Sequence, residues 1–249
     1  MDFQPLWPPG DLVEIESFID GLDFASRAHA QLPYTVVNFI SSLDGRASVG
    51  GRSSALGDDG DKAVFRALRR AADAVLVGTG TLGVERYGRI VADPQARERR
   101  SARGLPGEPL ACTLTRTGSL PLDIPLFAEP EAEVVVFSGQ DVDLTGVRAR
   151  VEVVRLEPEE LRFATALAHL RTERGVRTLL CEGGPRVFAT LLRERLVDEL
   201  CLSLAPKLAG GGVAPAITRG PELPGPASVR LDGVLERAGT LFLRYGFPR

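Results

Sequence analysis

Cys181-Glu182-Gly183-Gly184-Pro185-Arg186-Val187 sets an acid and two adjacent glycines between an apolar run, Thr178-Leu179-Leu180, and an amphipathic one carrying Val187, Phe188, Leu191, Leu192 and Leu196. Glycines let a ligand approach the main chain, and the helix they open offers unpaired N–H groups and partial positive charge to an anion. Gly183, Gly184, Pro185, Arg186 and Val187 are therefore candidate phosphate-cradling residues, with Glu182 beside them as a candidate acid. A second mouth, Gly78-Thr79-Gly80-Thr81-Leu82-Gly83, follows the apolar Ala74-Val75-Leu76-Val77 with the spacing of the Rossmann fingerprint. That fingerprint should run on into a helix and a strand ending in an acid about 20 positions later. Here Glu85-Arg86-Tyr87-Gly88 and a charged stretch intervene, and a tight strand exit without a ligand is the alternative for this motif alone. Two independent glycine mouths can nevertheless hold one extended dinucleotide.

Thr115-Arg116-Thr117 supplies two hydroxyls and a planar guanidinium after another apolar run, and is either a solvated turn or a receptor for an adenosine 2′-phosphate that would favour NADPH over NADH. Asp44-Gly45 can be a tight turn or can present its carboxylate to a reacting group. Asp61 sits where a helix should start, which suits an acid electrostatically, and it could also bind the amino-pyrimidine edge of a pterin. Arg69, two turns on, shares a stripe with Asp61, Phe65 and Leu68 and could reach a sugar phosphate, the alternative being a salt-bridged surface arginine. His29 and His169 fall in an N-terminal arm and a helix, where neither reads as catalytic.

The elements that must position these groups alternate. Thr35–Ile40 reads as a strand covered on both faces, with Asn38 its polar exception and a candidate substrate contact. Val64, Phe65, Leu68, Ala71 and Ala72 recur at helical spacing before the strand at 74–77. Residues 92–109 read as a long surface loop, and 110–115, 134–137, 151–156 and 178–181 as further strands. Pro158 is placed to open a helix carrying Leu161, Ala164, Thr165 and Ala168 inward. Strands at 200–205, 227–235 and 240–245, with little helix between them, imply antiparallel pairing. The expectation is an N-terminal arm over 1–33 and a single domain over 34–249, an α/β fold with a mainly parallel sheet and an antiparallel C-terminal edge. Strand tails near Ile40, Val77, Thr115 and Cys181 should line one cleft.

Composition narrows the partners. With 249 residues, 44% hydrophobic, and a formal charge of −3, the chain can build a sizeable core and has no general attraction for nucleic acid or anionic membrane. Cys112, Cys181 and Cys201 are odd in number and lack C-x-x-C spacing, which argues against a disulfide framework and a zinc site and for a reducing cytoplasm. The N-terminus lacks a signal-peptide pattern, and no apolar stretch approaches the about 20 residues that span a bilayer.

Asn38-Phe39-Ile40-Ser41-Ser42-Leu43-Asp44-Gly45-Arg46, Val77-Gly78-Thr79-Gly80-Thr81, Glu182-Gly183-Gly184-Pro185, and Val197-Asp198-Glu199-Leu200 with Ala205-Pro206-Lys207-Leu208 together resemble the bacterial riboflavin-biosynthesis pyrimidine reductases. The resemblance runs from about Tyr34 to Phe247. It implies a dihydrofolate-reductase-like three-layer αβα fold, a homodimer, and NADPH-dependent reduction of 5-amino-6-(5-phosphoribosylamino)uracil. It further implies that Ile40, Asp44 and Thr81 meet the nicotinamide half and that residues 184–190 cradle the pyrophosphate. Thr115 or Arg116 would then meet the adenosine end, and Ser54, Arg69 and Glu182 the substrate. Many such proteins carry an N-terminal zinc deaminase with H-x-E and P-C-x-x-C elements, which this sequence lacks, so the reductase half alone is implied. Where they often have D-x-P, this chain has Glu85-Arg86-Tyr87.

The mechanism expected is hydride delivery from NADPH to the ring-opened imine at the ribose C1, with Glu182 or Asp44 orienting or protonating the acceptor. The alternatives are a dihydrofolate or pterin reductase of the same fold, for which Asp61 is the distinguishing feature, and a non-catalytic NADP-binding regulator.

Overall fold

The computed structural model describes residues 1–248. In chain order the elements are β1 (Asp2–Trp7), β2 (Val13–Glu14), α1 (Ile15–Gly21), β3 (Tyr34–Ser42), α2 (Asp59–Ala71), β4 (Ala74–Leu76), α3 (Thr79–Val84), α4 (Pro94–Ala102), β5 (Leu110–Thr115), α5 (Pro125–Ala128), β6 (Glu133–Ser138), β7 (Arg150–Arg155), α6 (Phe163–Thr172), β8 (Thr178–Cys181), α7 (Pro185–Arg193), β9 (Glu199–Ala205), β10 (Arg230–Arg237) and β11 (Thr240–Gly246). All strands join one 11-stranded sheet in the order β2-β1-β10-β11-β9-β3-β8-β4-β5-β6-β7. From β9 to β7 neighbouring strands run parallel. β11, β10, β1 and β2 continue the sheet antiparallel.

Period-two alternation on β-branched strands explains the layering. Val36, Val75, Ala111 and Val134 face a core completed by Ile15 and Ile19 of α1 and Val64 and Leu68 of α2. Their neighbours Val37, Ala74, Cys112 and Val135 face the opposite core, built with Phe163, Leu167 and Leu170 of α6 and Phe188 and Leu191 of α7. No helix among the described residues is long and apolar enough to cross a membrane.

Three local readings change. The supposed arm over residues 1–33 is woven into the sheet: β1 pairs with β10 and β2, and Phe3 is buried edge-on against Phe242 at 5.0 Å. The expected loop at 92–109 contains α4, capped by Asp93 and carrying Pro94 in its first turn. Arg100 of that helix is fully buried because its guanidinium satisfies carbonyls at the end of α2, including Ala72 O at 2.8 Å. The helix expected from Pro158 begins only at Phe163, residues 157–160 forming a turn in which Glu160 N donates to Glu157 O.

Candidate active site

β8 and β4 are parallel neighbours, yet the chain leaves β4 toward β5 and β8 toward β9, in opposite directions across the sheet. Loops that part in this way open a crevice at the carboxyl ends of the strands. Both glycine mouths lie there. Gly78 N–H donates to Gly183 O at 2.8 Å, which ties the start of α3 to the start of α7. Gly183 has φ +85°, and its peptide with Gly184 is cis. A Cβ on Gly78 would come within 2.8 Å of Val187 Cγ2, and one on Gly184 within 2.7 Å of Thr81 Oγ1. Bare backbone is therefore a packing requirement at the crevice floor, as close approach of a diphosphate to main-chain amides also demands.

Two cavities adjoin over this floor, sharing Gly80 and Val84 in their walls. The inner one, about 560 Å³, is lined by Asn38, Ile40, Asp61, Arg69, Thr81, Glu182, Gly184 and Pro185 among others. The outer one, about 820 Å³, is lined by Thr79, Thr115, Arg116, Arg186 and Val187. Gly78 and Gly183 form the tie between the mouths instead of either wall. Arg116 forms no ion pair among the described residues, whereas the Thr115 hydroxyl is spent within its own turn, donating to Ser119 O at 3.1 Å.

Ser54 is exposed and outside both cavities; its neighbour Ser53 lines the inner one, its N–H and hydroxyl both donating to Glu85. The serine pair identifies the segment, but only the bend after Gly51 decides which of the two turns inward.

Glu182, the candidate acid, accepts from internal partners on both carboxylate oxygens. Arg69 grips it with Nε at 2.6 Å from Oε1 and Nη2 at 2.8 Å from Oε2, and the Tyr87 hydroxyl donates to Oε2 at 2.6 Å. Arg69 is also held by Ile90 O and lies 4.1 Å from the Phe65 ring centroid, while it lines the inner cavity. Burial works against the guanidinium charge, but Glu182 more than reverses this and keeps Arg69 charged. Burial, then the Glu182 charge, pushes the Tyr87 phenol well above its ordinary range. Tyr87 has no spacing signature, since its partner is 95 residues away in the chain.

Asp44 stands outside both cavities as a clamp. Its carboxylate accepts from the Ser42 hydroxyl at 2.6 Å and from the amides of Ala209 at 3.0 Å and Gly210 at 2.8 Å. The Ser42 hydroxyl first, then those amides, hold it down to about 2, so it is no proton donor at neutral pH. What it fixes is the segment after β9: Lys207 Nζ donates to Ala55 O and Leu56 O, Ala47 N to Pro215 O, and Pro215 closes the inner cavity.

Asp61 is the acid the geometry singles out. Asp58 takes the capping role, accepting from Asp61 N at 2.8 Å, and frees the Asp61 side chain to line the inner cavity. Burial raises its pKa, against a hydrogen bond from Ser203. Across the same cavity Asn38 Oδ1 is buried with no hydrogen-bond partner, an acceptor available to a ligand. The thiol of Cys181 is pushed up to about 12 by burial and is inert.

Residues 33–240 match the model of the RibD C-terminal domain. The chain is 28% identical over 191 residues to the 2,5-diamino-6-ribosylamino-4(3H)-pyrimidinone 5′-phosphate reductase of Archaeoglobus fulgidus, covering 76% of this chain and 87% of that one. It is 30% identical over 194 residues to the riboflavin biosynthesis protein RibD of Mycobacterium tuberculosis, covering 77% of this chain but 47%, about half, of that protein. A pyrimidine reductase-like protein from Corynebacterium diphtheriae superposes with a TM-score of 0.74 at 23% identity, over 95% of this chain and 100% of that one. That likeness bears out the expected three-layer fold of the dihydrofolate-reductase type. With residues 33–240, most of its length, matched to that model, this chain belongs to the RibD C-terminal domain family.

Proposed function

We propose that this chain is an NADPH-dependent reductase of 5-amino-6-(5-phosphoribosylamino)uracil in riboflavin biosynthesis. The observation that carries this reading is the junction of both glycine mouths beside two adjoining cavities at the sheet's switch point. The pyrimidine reductase names of the relatives favour this substrate over a pterin.

When bound, the reduced nicotinamide supplies a hydride for C1 of the ring-opened ribosylamine. The amides at the start of α7, from Gly184 onward, would hold the diphosphate, and Arg116 in the outer cavity would receive the 2′-phosphate that distinguishes NADPH. Ile40 and Thr81, in the wall of the inner cavity, would meet the nicotinamide. Asn38 Oδ1 accepts from a pyrimidine N–H, and Asp61 holds the proton that the reduced product needs. The clamp of Arg69 and Tyr87 on Glu182 orients these walls and excludes water, and it transfers no proton. The resemblance supports a homodimer, and three buried, unpaired cysteines suit the cytoplasm.

Purified protein mixed with NADPH and the aminouracil, its diamino precursor or dihydrofolate tests this by loss of reduced-nicotinamide absorbance. Turnover with a pyrimidine is expected. Turnover with dihydrofolate alone would move the assignment to a pterin reductase, and tight NADPH binding without turnover to a regulator.

A further inference from the structure

Glu85-Arg86-Tyr87, the segment that departs from the D-x-P pattern, contributes all three residues to the wall of the inner cavity. Two have internal tasks: Glu85 holds Ser53, and Tyr87 holds Glu182. Arg86 has none. Its backbone is left-handed, φ +47°, a conformation unusual for a residue with a side chain. Its guanidinium meets only Asp123, Nη1 to Oδ2 at 3.2 Å and Nη2 to the backbone oxygen at 3.1 Å. Both side chains of that pair are more than half exposed, at 55% and 78%, so separating them costs little.

The charge balance of the cavity makes this cation matter. Asp61, Glu85 and Glu182 all present acids to it, and the other arginine in its wall, Arg69, is neutralised by Glu182 and held at all three nitrogens. A substrate bearing a phosphate monoester would enter an acidic enclosure in which one guanidinium is still exchangeable. Resting on the reductase reading above, we infer that Arg86 is the substrate-phosphate anchor, releasing Asp123 to grip the 5′-phosphate of the ribosylamino-pyrimidine at the rim. A planar guanidinium can bind two phosphate oxygens at once, and the bound phosphate then sets how deep the ribosyl chain reaches toward Asp61 and Asn38. Arg86 is thereby a specificity determinant for phosphorylated over dephosphorylated substrate.

The test uses the full chain and the variants R86Q, R86K and D123N, with thermal melts to verify folding. Steady-state kinetics with the phosphorylated pyrimidine and its dephosphorylated counterpart should show R86Q raising KM for the former by about tenfold to hundredfold, the loss expected for a charge-assisted contact. The latter should be unaffected, with R86K intermediate and D123N at least as good as wild type. An equal loss on both substrates, no loss on either, or a loss in D123N overturns the inference. Calorimetry with ribose 5-phosphate separates this from the reductase reading: wild type should bind it and R86Q should bind it at least tenfold more weakly, even if neither pyrimidine is reduced. Equal binding by both, or none by wild type, counts against Arg86 alone.

Discussion

Glu182 and Arg69 meet end-on through two hydrogen bonds of 2.6 and 2.8 Å, the carboxylate side chain 2% exposed and the guanidinium 14%. A strand end and a helix more than a hundred residues apart in sequence are locked by this fork, and the inner cavity is built on it.

Removing one partner of such a pair leaves a buried charge without compensation, whereas removing both does not. Glu182→Gln should therefore lower stability by about 3 to 5 kcal/mol, and the double variant Arg69→Met/Glu182→Gln should lose less than Glu182→Gln alone. Urea titrations of the four proteins in the cycle check this; strict additivity would mean the fork contributes nothing.

Asp61 is an acid whose pKa burial raises in the folded protein. Between the unfolded and the folded pKa the native state binds more proton, so stability falls as pH rises through that window. Asp61→Asn should flatten this decline, leaving the variant relatively more stable at neutral than at acid pH, while lowering kcat about a hundredfold or more. Melting temperatures across pH 4–8 and pH–rate profiles read both effects, and a variant with full kcat would remove Asp61 from the chemistry.

Asp44, held down to about 2 mainly by Ser42 and the Ala209 and Gly210 amides, has the opposite sign. Its contribution is complete above its unfolded value and is lost only as pH falls toward 2. No Asp44 inflection should appear in activity near neutrality. Asp44→Ala should instead loosen the segment around Ala209, raising substrate KM about tenfold with kcat little changed. Hydrogen exchange at residues 209–210 should accelerate in step; a kcat effect with unchanged exchange contradicts the clamp.

Gly78→Ala places a methyl within 2.8 Å of Val187 Cγ2 and 3.4 Å of Gly184 N. The mouths must separate, so dinucleotide affinity should fall about tenfold or more with ribose 5-phosphate binding unchanged. Fluorescence titration with NADPH measures the first and calorimetry the second.

Arg116→Ala should weaken NADPH by about tenfold and leave NADH unaffected. The ratio of kcat/KM for the two cofactors reports it directly, and an equal loss on both would place the 2′-phosphate elsewhere.

The parallel half of the sheet was legible because Val36–Val37, Val75–Leu76 and Val134–Val135 carry apolar residues on both faces, a pattern that only a covered strand requires. The N-terminal strand was not, because Pro5, Pro8 and Pro9 read as breakers, and pairing with β10 is visible only when 230 residues of chain have come back beside it. Gly-rich mouths and the acids announced the site's position. Their division of labour did not follow, since a carboxylate's task depends on its partners: Asp44 met amides, Glu182 an arginine and a phenol, and Asp61 an enclosure. Arg100 was hidden in a charged stretch because a guanidinium that caps a distant helix is indistinguishable in sequence from a solvated one.

β8 occupies a slot between β3 and β4, strands made far earlier along the chain. During synthesis the two older strands must either wait apart or pair provisionally, and the late arrival carries half of the crevice floor with it. On the proposed function, capture of the nucleotide is tied to completion of the sheet: a ribosome-bound or prematurely terminated product ending before Thr178 has the helix from β3 to β4 and one of the two glycine mouths.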